Sequence, residues 1–258
     1  MFRVVIPARY GSTRLPEKAL VDIGGRPMIQ WVVAAARRSG ASEVLVATDD
    51  ARVVAACGAN NAAIAVMTRA DHPSGTDRIA EVAALRHWTD ADVVVNVQGD
   101  EPQLPPQLID QVAALLTVDH RADIATLSTP IASLEEFLDP NVVKVVAAAD
   151  RSALYFSRAP IPWHRDGAVQ GLMSQTTVRG AQRHLGIYAY RVGSLRRMTS
   201  IAPSDLELTE KLEQLRALEA GMRIIVAEAS IVPGIGVDTE HDLARVRKVL
   251  SGSGRSPT

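Results

Sequence analysis

Cysteine is all but missing from this chain. Cys57 is the one thiol in 258 residues, which excludes an internal disulfide. Aromatic residues make up only 4% of the sequence, too few for a single-strand nucleic-acid surface built on stacked rings. Net charge is nearly absent at -1, so no long-range field gathers a polyanion or an anionic bilayer, and any phosphate must be gripped by a local cluster. The early apolar stretch Val4-Val5-Ile6 is far too short for a signal-peptide core or a membrane span. These shortages predict a cytoplasmic protein with small-molecule partners, no nucleic acid and no membrane insertion. The chain also lacks a G-x-G-x-x-G after a strand and a G-x-x-x-x-G-K-[ST], which disfavours a dinucleotide dehydrogenase or a P-loop kinase.

What is present reads as an ordinary globular enzyme-sized chain. Hydrophobic residues at 47% and charged residues at 22% are enough for a buried core and too balanced for a disordered chain. Short β-branched runs alternate with helical patterns: Val4 to Ile6, Met28 to Arg38, Val44 to Val46, a helix from about Asp50, then Ala63 to Val66. This is the rhythm of βαβ units on a parallel sheet. Val93 to Val97 has no polar alternation and is expected mid-sheet, covered on both faces. Pro105 opens a further helix through Leu116, and Ile124 to Leu127 reads as the next strand.

The fold class expected is therefore α/β, with a mostly parallel Rossmann-like sheet flanked by helices, as one domain over residues 1-250. Beyond Pro130 the pattern changes, with strands at Val142 to Ala148 and Leu185 to Tyr190 around a Pro- and Gly-containing stretch from Arg158 to Gln182. Residues of about 130-190 are expected to form an insertion on the sheet. A helix is predicted over Ser204 to Ala220, capped by Ser204 and Glu207, with Leu208, Leu212, Leu215 and Leu218 on one face. Ile224 to Val226 and Glu240 to Leu250 close the domain, and the Ser/Gly/Pro-rich tail 251-258 is expected to fray.

Chemistry concentrates at strand ends. Pro7-Ala8-Arg9-Tyr10-Gly11-Ser12-Thr13-Arg14-Leu15-Pro16-Glu17-Lys18 leaves the first strand with three cations among small and turn-forming residues. A triphosphate needs that mixture of approachable backbone N–H groups and Arg or Lys. A solvated basic loop is the ordinary alternative, but ligands of open α/β sheets sit at this edge. Asn96-Val97-Gln98-Gly99-Asp100-Glu101-Pro102 delivers a carboxylate to the end of a buried strand, as Mg2+ sites often require, although Asp100 could instead cap the next helix. Asp238, in Gly234-Ile235-Gly236-Val237-Asp238-Thr239, stands just before a helix and taken alone reads as an N-cap. Three clusters, Arg69 to Arg78, Tyr155 to Trp163 and His184 to Tyr188, carry polar donors among turn residues. His184 and Tyr188, four apart in a strand-like run, should share a face.

The blocks IPARYGSTRLPEKAL, TRADHPSGTDR, VNVQGDEP, ALYFSRAPIPW, RHLGIYAYR, EKLEQLR and PGIGVDT occur in the order found in one family. From Phe2 to about Leu250 the chain resembles the 3-deoxy-manno-octulosonate (Kdo) cytidylyltransferases, of the sugar nucleotidyltransferase superfamily. The resemblance implies a nucleotide-diphospho-sugar transferase fold, CTP and Kdo as substrates, Mg2+ as cofactor, a homodimer, and a product, CMP-Kdo, destined for lipopolysaccharide. It implies that Lys18, Arg9 and Asp100 are catalytic. Pro7, Ala8, Arg9, Ser12, Arg14, Lys18, Ser74 and Gly75 would hold the nucleotide, and Asp100 and Asp238 the metal. Arg78, Gln98, Arg158, His184, Tyr188, Glu210 and Gln214 would line the sugar site. Glu210 and Gln214, as an i, i+4 pair on one helix, would present a polar face to that site. Glu17 and Ala19 depart from the family, which commonly has Gly and Pro beside the lysine. Other acceptors, an 8-amino analogue or a sialic acid, and a non-catalytic CTP- or sugar-binding module are the competing readings.

Overall fold

The structure is a computed structural model that describes residues 1-9, 11, 15, 17-58, 64-167, 171 and 178-252. Strand β1 (Phe2–Pro7) grows from the first β-branched run, and its side chains alternate between two cores: Val4 and Ile6 enter one, Val5 the other. Both faces of the sheet are thus covered. The predicted βαβ rhythm follows as α1 (Met28–Ala36), β2 (Glu43–Thr48), α2 (Ala51–Gly58) and β3 (Ile64–Met67), then α3 (Gly75–Leu85) and β4 (Val93–Asn96). The chain continues through α4 (Pro106–Val118), β5 (Ile124–Pro130), α5 (Leu134–Leu138), β6 (Lys144–Ala147), β7 (Ala153–Ser157) and β8 (Gln182–Arg191). It closes with α6 (Val192–Ser200), α7 (Asp205–Glu210), α8 (Gln214–Glu219), β9 (Ile224–Glu228) and α9 (Glu240–Gly252).

The sheet runs β3-β2-β1-β4-β8-β5-β9, with β6 and β7 attached beside β8. Neighbours pair in parallel except at β8, which is antiparallel to both β4 and β5, and in the β6–β7–β8 extension. β4 sits mid-sheet as its apolar run requires. The last segment of the 130-190 stretch is therefore a strand of the central sheet, whereas β6 and β7 extend its flank.

One element departs from expectation. The predicted single helix 204-220 is two helices, because Lys211 takes a left-handed φ of 54° and ends α7 one residue after Glu210. The Ser204–Glu207 capping box forms as the sequence predicts. The break is held by tertiary bonds: buried Arg216 reaches back bidentately to Glu207, with both contacts at 2.6 Å, and donates to the Ile201 carbonyl at 3.0 Å. Leu208 consequently leaves the apolar face and is 51% exposed, whereas Leu212 and Leu215 stay buried. Glu210 and Gln214 do not form an i, i+4 pair. The Arg69 to Arg78 cluster is likewise more than a loop, since Ser74 accepts from the Asp77 amide and starts α3.

Candidate active site

Lys18 opens a single tight helical turn, Lys18–Leu20, anchored by buried Ala19. Its side chain is mostly buried, and its ammonium donates to Asp100 Oδ2 at 2.6 Å and to Asp238 Oδ1 at 2.9 Å. Three residues from the beginning, middle and end of the chain thus meet at one point. Neither acid is spent on a helix cap. The N-cap of α4 is Pro105, with no side-chain cap bond. At α9 the cap is Thr239, whose hydroxyl accepts from the Asp242 amide at 3.2 Å while the Asp242 carboxylate accepts from the Thr239 amide at 3.0 Å. Both carboxylates pair with the Lys18 ammonium.

Close packing of two loops brings the acids together. Val237 donates its amide to the Asp100 carbonyl at 2.9 Å. A Cβ at Gly234 would lie 2.5 Å from Gln103 Cβ, so only glycine permits this approach. At the neighbouring strand end, a Cβ on Gly99 would stand 3.1 Å from the Pro7 carbonyl oxygen, which keeps the exits of β1 and β4 in contact.

A cleft of about 290 Å³ opens at this edge. Its walls carry Pro7, Ala8, Arg9, Lys18, Ser74, Gly75, Arg78, Gln98 and Asp100, all marked by the sequence. Ser12 and Arg14 lie outside the described residues. Arg78, expected on the sugar side, stands in this larger cleft, buried and bonded to Asp49 at 2.9 Å and to the Thr68 hydroxyl. His72, which sequence reasoning passed over, also lines the cleft and holds Glu81 through Nε2 at 2.5 Å. Glu17 takes a left-handed φ of 55°, a conformation natural to glycine, and its carboxylate lies 4.0 Å from Arg52.

A second, smaller cavity of about 100 Å³ shares Gly75 and Gln98 with the cleft. Tyr188 and Gln214, which the resemblance marked for the sugar, line it together with Thr76, Asn96, Tyr190 and Glu213, which the sequence reading gave no role. Thr76 donates to Glu213 at 2.6 Å across the gap between α3 and α8. An amide in an otherwise apolar strand was the available signal for Asn96. His184 and Tyr188 do share a face, with ring centroids 5.2 Å apart, despite the irregularity where β5 pairs with β8. Burial, together with nearby Arg183, pushes the His184 imidazole down to about 3, and its Nε2 lies 3.0 Å from the Thr126 hydroxyl.

Arg158 and Glu210 lie in neither cavity wall. The Glu210 carboxylate accepts from the Ser157 hydroxyl at 2.6 Å and from the Arg158 amide at 2.9 Å. The Arg158 guanidinium donates to the carbonyls of Glu210 and Pro140 at 2.7 and 2.9 Å. Beneath them the fully buried Lys144 donates to the carbonyls of Asp139, Val142 and Arg158 at 2.9, 2.7 and 2.6 Å. Glu101, beside Asp100, was also missed; burial and the Asp100 charge push its carboxyl up to about 7.

Residues 3–224 match the family described as Cytidylyltransferase. The 3-deoxy-manno-octulosonate cytidylyltransferase of Thioalkalivibrio sulfidiphilus is 54% identical over 249 residues, spanning 96% of this chain and 98% of the relative. That of Pseudomonas fluorescens matches at the same identity and coverage. Among solved structures, CMP:2-keto-3-deoxy-manno-octonic acid synthetase complexed with CTP superposes with a TM-score of 0.86 at 42% identity, covering 97% of this chain and 98% of that one. A 4-diphosphocytidyl-2C-methyl-D-erythritol synthase, 13% identical with a TM-score of 0.62 over 96% of each chain, shares the fold. With a family profile spanning most of its length and close relatives along nearly all of it, the chain belongs to the cytidylyltransferases, within the 3-deoxy-manno-octulosonate cytidylyltransferase family.

Proposed function

We propose that the chain transfers CMP from CTP to the anomeric hydroxyl of Kdo, releasing pyrophosphate. The carrying observation is the meeting of Lys18 with Asp100 and Asp238 at the mouth of a cleft floored by Pro7, Ala8, Ser74 and Gly75. The sugar oxygen attacks the α-phosphorus in line, the bond to the β-phosphate oxygen breaks, and the hydroxyl proton leaves to solvent. No covalent enzyme intermediate is required. Such chemistry rests on positioning and charge neutralisation, which the Lys18 ammonium and Arg9 provide at the phosphates. The cleft reaches the start of α3 at Ser74 and Gly75, and a helix N-terminus favours an anion.

The pair Asp100 and Asp238 fits Mg2+: both carboxylates already converge on one cation, the Lys18 ammonium, and Mg2+ asks for one or two carboxylates with phosphate oxygens and water. Asp100 and Asp238 would hold such an ion, which would supply charge neutralisation and Lewis acidity.

Among the described residues no helix is long and apolar enough to cross a membrane. A homodimer is supported by the exposed Leu154 and Trp163, apolar surface on the 130-190 stretch, and sedimentation of the free protein tests it. The activity is tested by incubating the protein with CTP, Mg2+ and, separately, Kdo, its 8-amino analogue and a sialic acid, and measuring pyrophosphate. Turnover with Kdo well above the others is expected; preference for another acid overturns the acceptor, and no turnover with any overturns the enzyme.

A further inference from the structure

Two buried amide atoms without partners stand in the wall of the same small cavity. Asn96, at the end of β4, is 3% exposed and its Oδ1 accepts from no group. Gln214, the first residue of α8, is 6% exposed and its Nε2 donates to no group. Buried polar atoms are almost always satisfied, and an unsatisfied one is costly wherever it occurs. Here one missing donor and one missing acceptor belong to two residues that line one cavity. The Tyr190 hydroxyl interacts with the side chains of Asn96 and Thr76. Thr76 in turn donates to Glu213.

The chemistry of the wall selects what can enter. A hydroxyl both donates and accepts, so a hydroxylated end can give a proton to Asn96 Oδ1 and take one from Gln214 Nε2. A carboxylate or phosphate cannot donate to Asn96, and it would meet the Glu213 side chain in the same wall. The cavity's volume, about 100 Å³, admits one end of a small polyol and not a nucleotide. Through Gly75 and Gln98 it adjoins the nucleotide cleft, so the rest of the acceptor reaches the phosphates from there.

We infer that Asn96 is a specificity-determining residue that reads a tail hydroxyl of the acidic sugar, so the acceptor enters this cavity polyol end first with its carboxylate facing out. The inference rests on the proposed acceptor and adds its orientation and the group that enforces it. Steady-state pyrophosphate release is measured for wild type and Asn96→Leu with Kdo and with analogues lacking the C7 or the C8 hydroxyl. For wild type, one of the two deoxy analogues should lose about tenfold or more in kcat/KM, the scale of one buried hydrogen bond. Asn96→Leu should raise KM for Kdo by a similar factor and KM for CTP by less than about twofold, and it should no longer distinguish Kdo from that analogue. The wild-type arm decides the matter even if the variant does not fold. Wild-type turnover of Kdo with indifference to both missing hydroxyls overturns the role of the cavity alone. So does an Asn96→Leu loss that adds to the analogue's loss. Absence of Kdo turnover in wild type overturns the acceptor reading and this inference together.

Discussion

The amide of Val237 donates to the carbonyl of Asp100 at 2.9 Å, which fastens the late acidic loop to the end of the central strand through backbone. Because the tether is backbone, substituting either acid leaves the two loops together. The acids can therefore be probed for chemistry separately from folding.

Asp100→Asn and Lys18→Ala should each lower kcat by at least about a hundredfold, the scale of losing one electrostatic stabiliser, with melting temperatures close to wild type. Rates near wild type in both, measured by pyrophosphate release, would remove these residues from the mechanism.

Gly234→Ala places a Cβ 2.5 Å from Gln103 Cβ and must push the Asp238 loop away from Asp100. Displacement of about 1 Å at a reacting centre costs roughly tenfold to a hundredfold in rate. Adding Gln103→Gly removes the opposing atom and should restore most of the loss. A double variant as slow as the single one would show that loop separation is not the cause.

Arg158→Ala should raise KM for the sugar more than KM for CTP, because its guanidinium belongs to the Pro140–Glu210 cluster on the β6–β7 side of the molecule and not to the nucleotide cleft. Equal rises would count against a sugar-side role.

Lys144→Met should destabilise the fold by at least about 3 kcal/mol, since three partly buried carbonyls lose a charged donor. In a chain of this size that corresponds to a melting temperature lower by roughly 6 °C or more. A smaller drop would mean that water replaces the ammonium.

His184 carries a pH dependence whose sign is fixed. Its imidazole ordinarily titrates at 6.5 and in the fold at about 3, so between these values the unfolded chain takes up a proton that the native state refuses. Stability should fall as pH drops below 6.5, by up to about 1.4 kcal/mol per unit, and this contribution is unchanged above 6.5. Thermal melts of His184→Gln should show a shallower acid limb than wild type; parallel limbs would contradict the assignment.

Much of this was legible in the sequence where one local rule dominates. The unbroken apolar run of β4 marked a strand covered on both faces, and the carboxylate at its end marked the edge where ligands sit. That Asp238 would meet Lys18 was legible only through family resemblance, because its spacing alone favours a helix cap, and in the fold Thr239 takes that cap. The split at Lys211 was hidden because leucine spacing favours a continuous helix, and what breaks it is the grip of Arg216 on Glu207 across the turn. Thr76 and Glu213 were hidden for a related reason: each is an ordinary polar residue until α3 and α8 bring them within 2.6 Å.

The reversed direction of β8 decides which connections reach the reactive edge. A strand parallel to β4 would offer the loop that follows it, but β8 offers the loop that precedes it, and Tyr188 lies opposite Asn96 in the register. The small cavity is accordingly walled by Tyr188 and Tyr190 of β8 together with α3, α8 and the end of β4, while the larger cleft is walled by residues following β1 and β4 and by the start of α3. On the proposed reading, substitutions at those two β8 positions would retune the choice of sugar while leaving the walls of the larger cleft as they stand.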